Sequence, residues 1–410
     1  MSISHINEEV IFLEEDDDTK TNLEFRSDQK SELEKIQKVI VTNTDWSVST
    51  ILDQIIRENI YFDFRIQRRD EWDITKKSRF IESLLLGFPI PQIVLATRKN
   101  DKEFLVIDGK QRLLTILQFY GRSQSHNNGF ALNNLEFRTD INGKNYEQLK
   151  NDIFKQKELD ELDIQTIRTI LVRNVDSVNL LYNIFLRLNV KTTGSSTQEL
   201  RQVLYPGAFN EFLDNRSIKS QALKKIFKSS KPDARMRDNE LLLRYIGFHF
   251  FISEYRGNLR NFLDMTCQKL NQSWNEKNYR VQTIVDKFEE AVQAIINIFG
   301  ERNFSRMWLN NENTYQASFN KAILDVMLFY FTDEIIRQAA EAHQEEVVNA
   351  FKKLCSSNRD FQEGVEGNTH SVRKTYNRLR VWGEALLEVL DIEFNLPEFM
   401  ENHIIFNGLR

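Results

Sequence analysis

Apolar residues follow two different periods along this chain, and the change of period divides it. Up to about residue 175, short apolar runs of strand type alternate with stretches in which apolar residues recur three and four positions apart. "FDFRIQR" (62–68) reads as a short strand or extended stretch. Asp73 suits a helix N-cap, and Ile74, Phe80, Ile81, Leu84 and Leu85 then lie on one side of a helix that Gly87, Pro89 and Pro91 stop. "QIVLATR" and "EFLVID" come next as two strands joined by the turn "KNDK". After Gly109 the spacing turns helical through Leu113, Leu114, Ile116, Leu117 and Tyr120. Short strands are expected near "FALNNLEFRT", with a turn at Gly143, and a further strand in "IQTIRTILVRNV".

Beyond that point the helical period runs almost to the end. It predicts roughly eight to ten helices, the longest near 177–188, 239–254, 281–299, 314–330 and 370–390. No fixed-period repeat signals a solenoid. The expected fold class is therefore α+β: a small mixed sheet with helices in the N-terminal half, then a mainly α-helical domain. The divisions fall at residues 1–44, 45–195 and 196–410. The first of these is an acidic arm, with seven Asp or Glu in "NEEVIFLEEDDD" (7–18).

Composition adds limits. A chain of 410 residues with 41% hydrophobic and 28% charged residues can bury a sizeable core, and 5 Pro with 14 Gly favour helix. The 30 Phe recur inside helical patterns such as "RYIGFHFFISEY", where they fill the space between helices. Cys267 and Cys355 lack metal-ligand spacing, so they read as reduced, buried thiols and the chain as cytoplasmic. No apolar stretch reaches the roughly 18 residues that a membrane span needs. A net charge of −5 argues against indiscriminate nucleic-acid binding while leaving room for a local basic patch.

Three stretches carry candidate chemistry. In "FLVIDGKQRLLTI" (104–116) a strand ends at Asp108, turns at Gly109 and places Lys110 and Arg112 in the opening turn of a helix. A helix start is already partly positive, so cations there call for a negative partner. Phosphate fits: the turn offers backbone N–H groups, Lys110 a mobile charge and Arg112 a two-pronged donor, while Asp108 suits a divalent metal or a water. A surface turn whose cations pair with nearby carboxylates explains the same residues. In "FRIQRRDEW", Gln67, Arg68 and Arg69 cluster before Trp72, where a salt-bridged surface with Asp70 and Glu71 is the competing reading. In "FLRLNVKTTGSSTQELRQVL", Asn189 ends a helix, and Ser196 with Glu199 forms a capping box for the next. The small-residue loop between them suits a ligand's phosphate or sugar, or a plain helix-to-helix turn.

Residues 201–237 hold nine Lys or Arg against three acids. Lys224, Lys225, Lys228, Lys231, Arg235 and Arg237 are the candidate DNA-phosphate contacts, with a solvated helix face as the alternative.

"FRIQRRDEWDITKKSRFIESLLLGFPIPQIVL", "VIDGKQRLLTI", "IFLRLNVKTTGSSTQELR" and "RMRDNELLLRYIGF" resemble, in that order, the signatures of the GmrSD-type restriction endonuclease N-terminal domain. The resemblance runs from about residue 45 to 265. It implies a fold related to the ParB and sulfiredoxin nucleotide-binding domains over 45–195. It also implies a module that handles nucleoside triphosphates in bacterial defence against foreign, often modified, DNA. The family's Asp-Gly-Gln-Gln-Arg motif falls on Asp108, Gly109, Lys110, Gln111 and Arg112, Lys110 replacing the usual Gln. Its Gln-Arg pair falls on Gln67 and Arg68. Its Leu-Asn pair falls on Leu188 and Asn189, with Lys191 and Thr192 in place of the usual paired glycines.

On this resemblance, Asp108, Gln111 and Arg112 are the catalytic candidates, and Gln67, Arg68, Gly109, Lys110 and Asn189 the nucleotide-binding ones. GTP, CTP or ATP, with Mg, is the expected ligand. The chain carries no paired His and Asn at nuclease spacing: His370, His403 and the other four His are scattered. Cleavage is therefore expected from a separate effector polypeptide acting with this chain on DNA, modified phage DNA included. The sequence leaves self-association open. A non-hydrolysing, nucleotide-gated switch on DNA or on a partner is the alternative function.

Overall fold

The computed structural model describes residues 38–61, 72–97, 103–122, 129–175, 180–181, 184, 197–367 and 369–409. The chain divides into two compact units. One, the sheet unit, runs to Leu204 and takes in Ala234–Met236; the other, the helical unit, comprises Tyr205–Asp233 and everything from Arg237 onward. This is the mixed α+β architecture that the two hydrophobic periods predict, with the sheet in the N-terminal half.

The sheet has five strands in the order β1-β5-β3-β4-β2: β1 Ile40–Ser47, β5 Thr166–Arg173, β3 Ile93–Thr97, β4 Phe104–Asp108 and β2 Ile60–Tyr61. β1 runs antiparallel to β5, β5 parallel to β3, β3 antiparallel to β4, and β4 parallel to β2. The start of β1 occupies positions 40–44, which the sequence pattern assigns to the arm. β3 is central and buried along its whole length, which suits its unbroken Ile-Val-Leu-Ala run. Between β3 and β4 the register slips at Val94/Leu95: Leu95 faces Val106 and Val94 faces Asp108, leaving Ile107 without an opposite number. A slip of this kind bends the strand and turns the next residues in a new direction.

One sheet face is covered by helices α1 (Val48–Ile56), α2 (Ile74–Leu85), α3 (Lys110–Phe119) and α5 (Gln156–Ile164), around Ile51, Ile81, Leu95, Leu113, Leu117 and Ile167. The short helix α4 (Tyr146–Lys150) precedes α5. The opposite face packs Val94, Ala96, Leu105, Ile107 and Val172 against Leu181 and Leu200, the latter from α6 (Thr197–Leu204). Leu113, Leu114, Ile116 and Leu117 of α3 are all at most 1% exposed. At roughly 1.5–3 kcal/mol for each fully buried side chain, they fix α3 firmly on the sheet.

α2 begins where expected, the Asp73 carboxylate accepting the Lys76 N–H at 2.7 Å, and its C-cap is Leu86, one residue before the positive-φ Gly87. The strands expected near 130–139 do not form. Instead, Glu82 of α2 accepts the backbone N–H groups of Glu136, Phe137 and Arg138 at 3.1, 2.8 and 2.7 Å, and Ser78 Oγ accepts that of Asn133 at 2.9 Å. The donors a ladder would need are spent on two side chains of a neighbouring helix. Burial by itself would raise the Glu82 carboxyl, but the three N–H bonds, with Arg79 nearby, hold it below its ordinary value.

The helical unit packs α7 (Ala208–Lys219), α8 (Gln221–Phe227), α9 (Arg237–Phe251), α10 (Leu259–Gln272), α11 (Trp274–Phe299), α12 (Lys321–Phe331), α13 (Glu334–Ala342), α14 (Gln344–Ser357), α15 (Arg359–Val365) and α16 (Val372–Leu390). Phenylalanines fill its core, among them Phe209, Phe288, Phe319, Phe331 and Phe361, each at most 1% exposed. Cys267 and Cys355 are buried in it as thiols. The helix expected over 314–330 begins only at Lys321, with Asn320 as its N-cap. Thr314–Tyr315 pairs instead with Trp308–Leu309 in a small hairpin whose turn uses Asn313 at positive φ. Among the described residues no helix is long and apolar enough to cross a membrane.

Candidate functional site

The corner where β4 gives way to α3 gathers the motif Asp108–Arg112. Gly109 is the residue that makes the corner. Its φ of +100° lies in the left-handed region, and a Cβ there would stand 3.0 Å from Ile93 Cγ1 and 3.3 Å from an Arg112 guanidinium nitrogen. Only glycine fits without strain. Because Gly109 is also the N-cap, α3 opens with no side chain accepting its first N–H groups and no acid in its first turn. Those donors and the positive helix end face the space beyond β4.

The two cations of the opening turn do have negative partners within the chain. Lys110 Nζ lies 2.5 Å from Glu199 Oε1, and the pair is enclosed, with side chains 11% and 4% exposed. Arg112 donates to Asp108 Oδ2 at 2.9 Å and to the Gln92 carbonyl at 3.1 Å, folding back over Gly109. This is the carboxylate pairing that the plain reading of the turn anticipates, but Lys110–Glu199 is inside the unit and not a surface contact.

Two polar groups at the same corner stay unsatisfied. Both amide atoms of Gln111 and the Nε of Arg112 are buried with no hydrogen-bond partner among the described residues. Each such group costs about 1–3 kcal/mol, and native folds seldom carry several together without a reason. Gln111 Nε2, Arg112 Nε and the N–H groups of a helix start are all donors that an oxyanion can accept from, while Gln111 Oε1 calls for a donor.

α6 brings to this corner a residue that sequence reasoning does not connect with it. The pattern gives Glu199 to a capping box with Ser196, which lies outside the described residues; in the structure its carboxylate accepts from Lys110. Gln198, Arg201 and Gln202 of the same helix are each at most 1% exposed, and the Arg201 guanidinium donates to Gln198 Oε1. The one signal in the sequence is a two-turn helix whose polar residues outnumber its apolar ones, which reads as surface but is largely buried. Gln67, Arg68 and Asn189, with the 190–195 loop, lie outside the described residues.

The basic stretch is divided between the two units. Lys225, Lys228 and Lys231 are exposed or half-exposed at the end of α8 and the turn after it, Lys224 being half-buried beside them. Arg237 makes a two-pronged pair with Asp233, its Nη2 2.7 Å and its Nε 3.1 Å from Oδ2, and lies over the Phe227 ring. Arg235 belongs to the sheet unit, the lysines to the helical unit. Arg201, counted in the basic excess, is buried. Lys224 and Lys225 also complement the carbonyl end of α8, a structural role any helix C-terminus rewards. Among the described residues no group of three or more His, Cys, Asp or Glu is placed to hold a metal ion.

Residues 48–206 match the family model described as GmrSD restriction endonuclease, N-terminal domain. The matched stretch starts at the first residue of α1, contains the β4–α3 corner and ends two residues after α6. It therefore bears out the resemblance for the first three of the ordered motifs, the fourth, at 235–248, lying beyond it, and both partners of the Lys110–Glu199 pair lie within it. No curated protein matches the chain.

Proposed function

We propose that the β4–α3 corner binds the phosphates of a nucleoside triphosphate, and that this chain is the nucleotide-handling sensor or specificity subunit of a restriction or anti-phage system acting on DNA. The nuclease is supplied by a separate polypeptide. The observation that carries the reading is the unsatisfied corner itself: an uncapped helix start beside the buried, unpartnered Gln111 amide and Arg112 Nε. The match of residues 48–206 to a restriction-endonuclease domain supports the biological setting.

In this reading Glu199 and Asp108 stand where the phosphates come to rest. An incoming triphosphate takes Lys110 from Glu199 and Arg112 from Asp108, and its oxygens also meet the α3 N–H groups and Gln111. Asp108, once released, would be the carboxylate to hold a Mg ion, which would supply positive charge beside the phosphates. Positioning and charge are most of what phosphoryl transfer asks of a protein, so hydrolysis needs no covalent nucleophile here. The closed state of both ion pairs favours a second reading, a gate that responds to nucleotide without turning it over.

Titration of the purified chain with GTP, CTP, ATP and UTP in the presence of Mg tests the proposal. Turnover is followed with and without modified and unmodified DNA. Saturable binding that Arg112→Ala and Asp108→Ala abolish is expected; binding without turnover in every condition selects the gate. No binding by the unaltered chain, or binding untouched by both replacements, overturns it.

A further inference from the structure

The helical unit contains a cavity of about 480 Å³ that the nucleotide reading does not use. That volume is in the range of small-molecule sites. Its walls combine aromatic faces with cations from one helix. Arg280 and Lys287, two turns apart on α11, both line it, together with Phe250, Phe329 and Phe406. Among the described residues neither cation is held by a carboxylate: Arg280 lies over the Phe250 ring at 5.8 Å, and Lys287 has no ion pair.

The two acids in the lining are already engaged. Asp325 accepts both Arg244 Nε, at 2.7 Å, and Arg244 Nη2, at 2.5 Å, with Arg378 3.8 Å away. Asp333 accepts the N–H groups of Ile335 and Ile336 at the start of α13. The local balance is thus positive. His249, also in the wall, agrees: enclosure by the cavity, reinforced by Lys287 and Arg280, pushes its imidazole below the ordinary value, although its exposed edge tempers the effect.

We propose that this cavity is a second ligand site, for a small organic anion with a planar aromatic body, its anionic group between Arg280 and Lys287 and its ring against Phe250, Phe329 and Phe406. Two cations without carboxylate partners supply the charge recognition, and the phenylalanines supply the flat apolar surface on which an aromatic ring packs at about 4.5–7 Å centroid spacing. Phe406 is positioned for this by the chain segment that bears it: Asn395 N–H donates to the Leu409 carbonyl at 2.8 Å, and Phe406 meets Phe329 with ring centroids 4.7 Å apart.

The test uses the full chain and the fluorescent probe 1-naphthyl phosphate, with inorganic phosphate and 1-naphthol as half-ligands. Saturable binding of the naphthyl phosphate is expected, with each half-ligand weaker by about tenfold or more. The double replacement Arg280→Ala/Lys287→Ala should weaken it by about tenfold or more, since it removes the charge-assisted contacts. The charge-keeping Arg280→Lys/Lys287→Arg should retain binding and guards against misfolding of the alanine variant. Arg112→Ala should leave the affinity unchanged, which separates this site from the β4–α3 corner. Absence of saturable binding, binding that survives loss of both cations in a folded variant, or binding that disappears with Arg112→Ala would each overturn the assignment.

Discussion

Lys110, at the first position of α3, and Glu199, 89 residues further along in α6, form an ion pair at 2.5 Å that is almost closed to solvent. Breaking such a pair from one side leaves an uncompensated charge, at a cost of roughly 3–5 kcal/mol. The same enclosure makes the lysine a strong anchor for any anion that displaces the glutamate. Glu199→Gln is therefore expected to lower thermal stability while raising nucleoside-triphosphate affinity. Calorimetric titration beside a thermal melt checks both; affinity that falls with stability would mean that Glu199 supports the corner and does not compete for it.

Gly109→Ala should be costly. The position combines a φ of +100° with a 3.0 Å approach to Ile93 Cγ1. A strained left-handed residue costs on the order of 1–3 kcal/mol. Urea unfolding of the two proteins gives the difference directly, and a change below about 0.5 kcal/mol, the size of an ordinary surface substitution, would show that the backbone there can relax.

Glu82 makes stability depend on acid. Its folded-state carboxyl is held below the ordinary value of 4.5, so its contribution is complete above that value and is lost as pH falls through the lower folded-state value. Glu82→Gln should destabilise the chain at neutral pH by about 1–3 kcal/mol, because the three loop N–H groups lose a charged acceptor. It should also flatten the decline of stability below pH 4.5. Parallel melts across that range decide the point, and identical pH profiles would exclude the role.

Asp325→Ala takes from Arg244 the carboxylate that two of its guanidinium nitrogens meet, in the core of the helical unit where its side chain is 2% exposed, while Arg378 keeps the Gly364 and Thr369 carbonyls. A loss of roughly 3–5 kcal/mol is expected. A replacement that melts within a degree or so of the parent would show that water reaches the Arg244 guanidinium.

If the lysines at the end of α8 and in the turn after it contact DNA phosphates, replacing Lys225, Lys228 and Lys231 with Ala should reduce the slope of log affinity against log salt by about 2–3. Arg237→Ala should change it little, because that guanidinium is already committed to Asp233. Equal slopes for the triple variant and the parent would exclude phosphate contacts by these lysines and leave Lys225 with its role at the carbonyl end of α8.

Local chemistry made much of the sheet unit legible. Asp73 as N-cap, the turn at Gly87, the paired strands β3 and β4 and the helix after Gly109 all depend on one or two residues each, so periodicity and capping suffice. Where the deciding partner is distant in sequence, the pattern failed. The stretch near 130–139 has strand-like alternation, yet its N–H groups go to Glu82, 54 to 56 residues upstream. The helix expected from 314 is shortened by a hairpin whose other strand is Trp308–Leu309. At the candidate site the crowding of cations after β4 was readable, and so was their need for anions. That one of those anions is Glu199 was not, because no local rule connects residue 110 with residue 199.

The burial of Cys267 and Cys355 has a practical side. Cys355 is pushed up to about 12 by desolvation, and thiol reagents attack the thiolate. With these two the sole cysteines of the chain, the native molecule offers maleimides little to react with. A cysteine placed at the exposed Tyr279 would then be labelled against a quiet background, so that a dye can report on the helical unit in an otherwise unaltered protein.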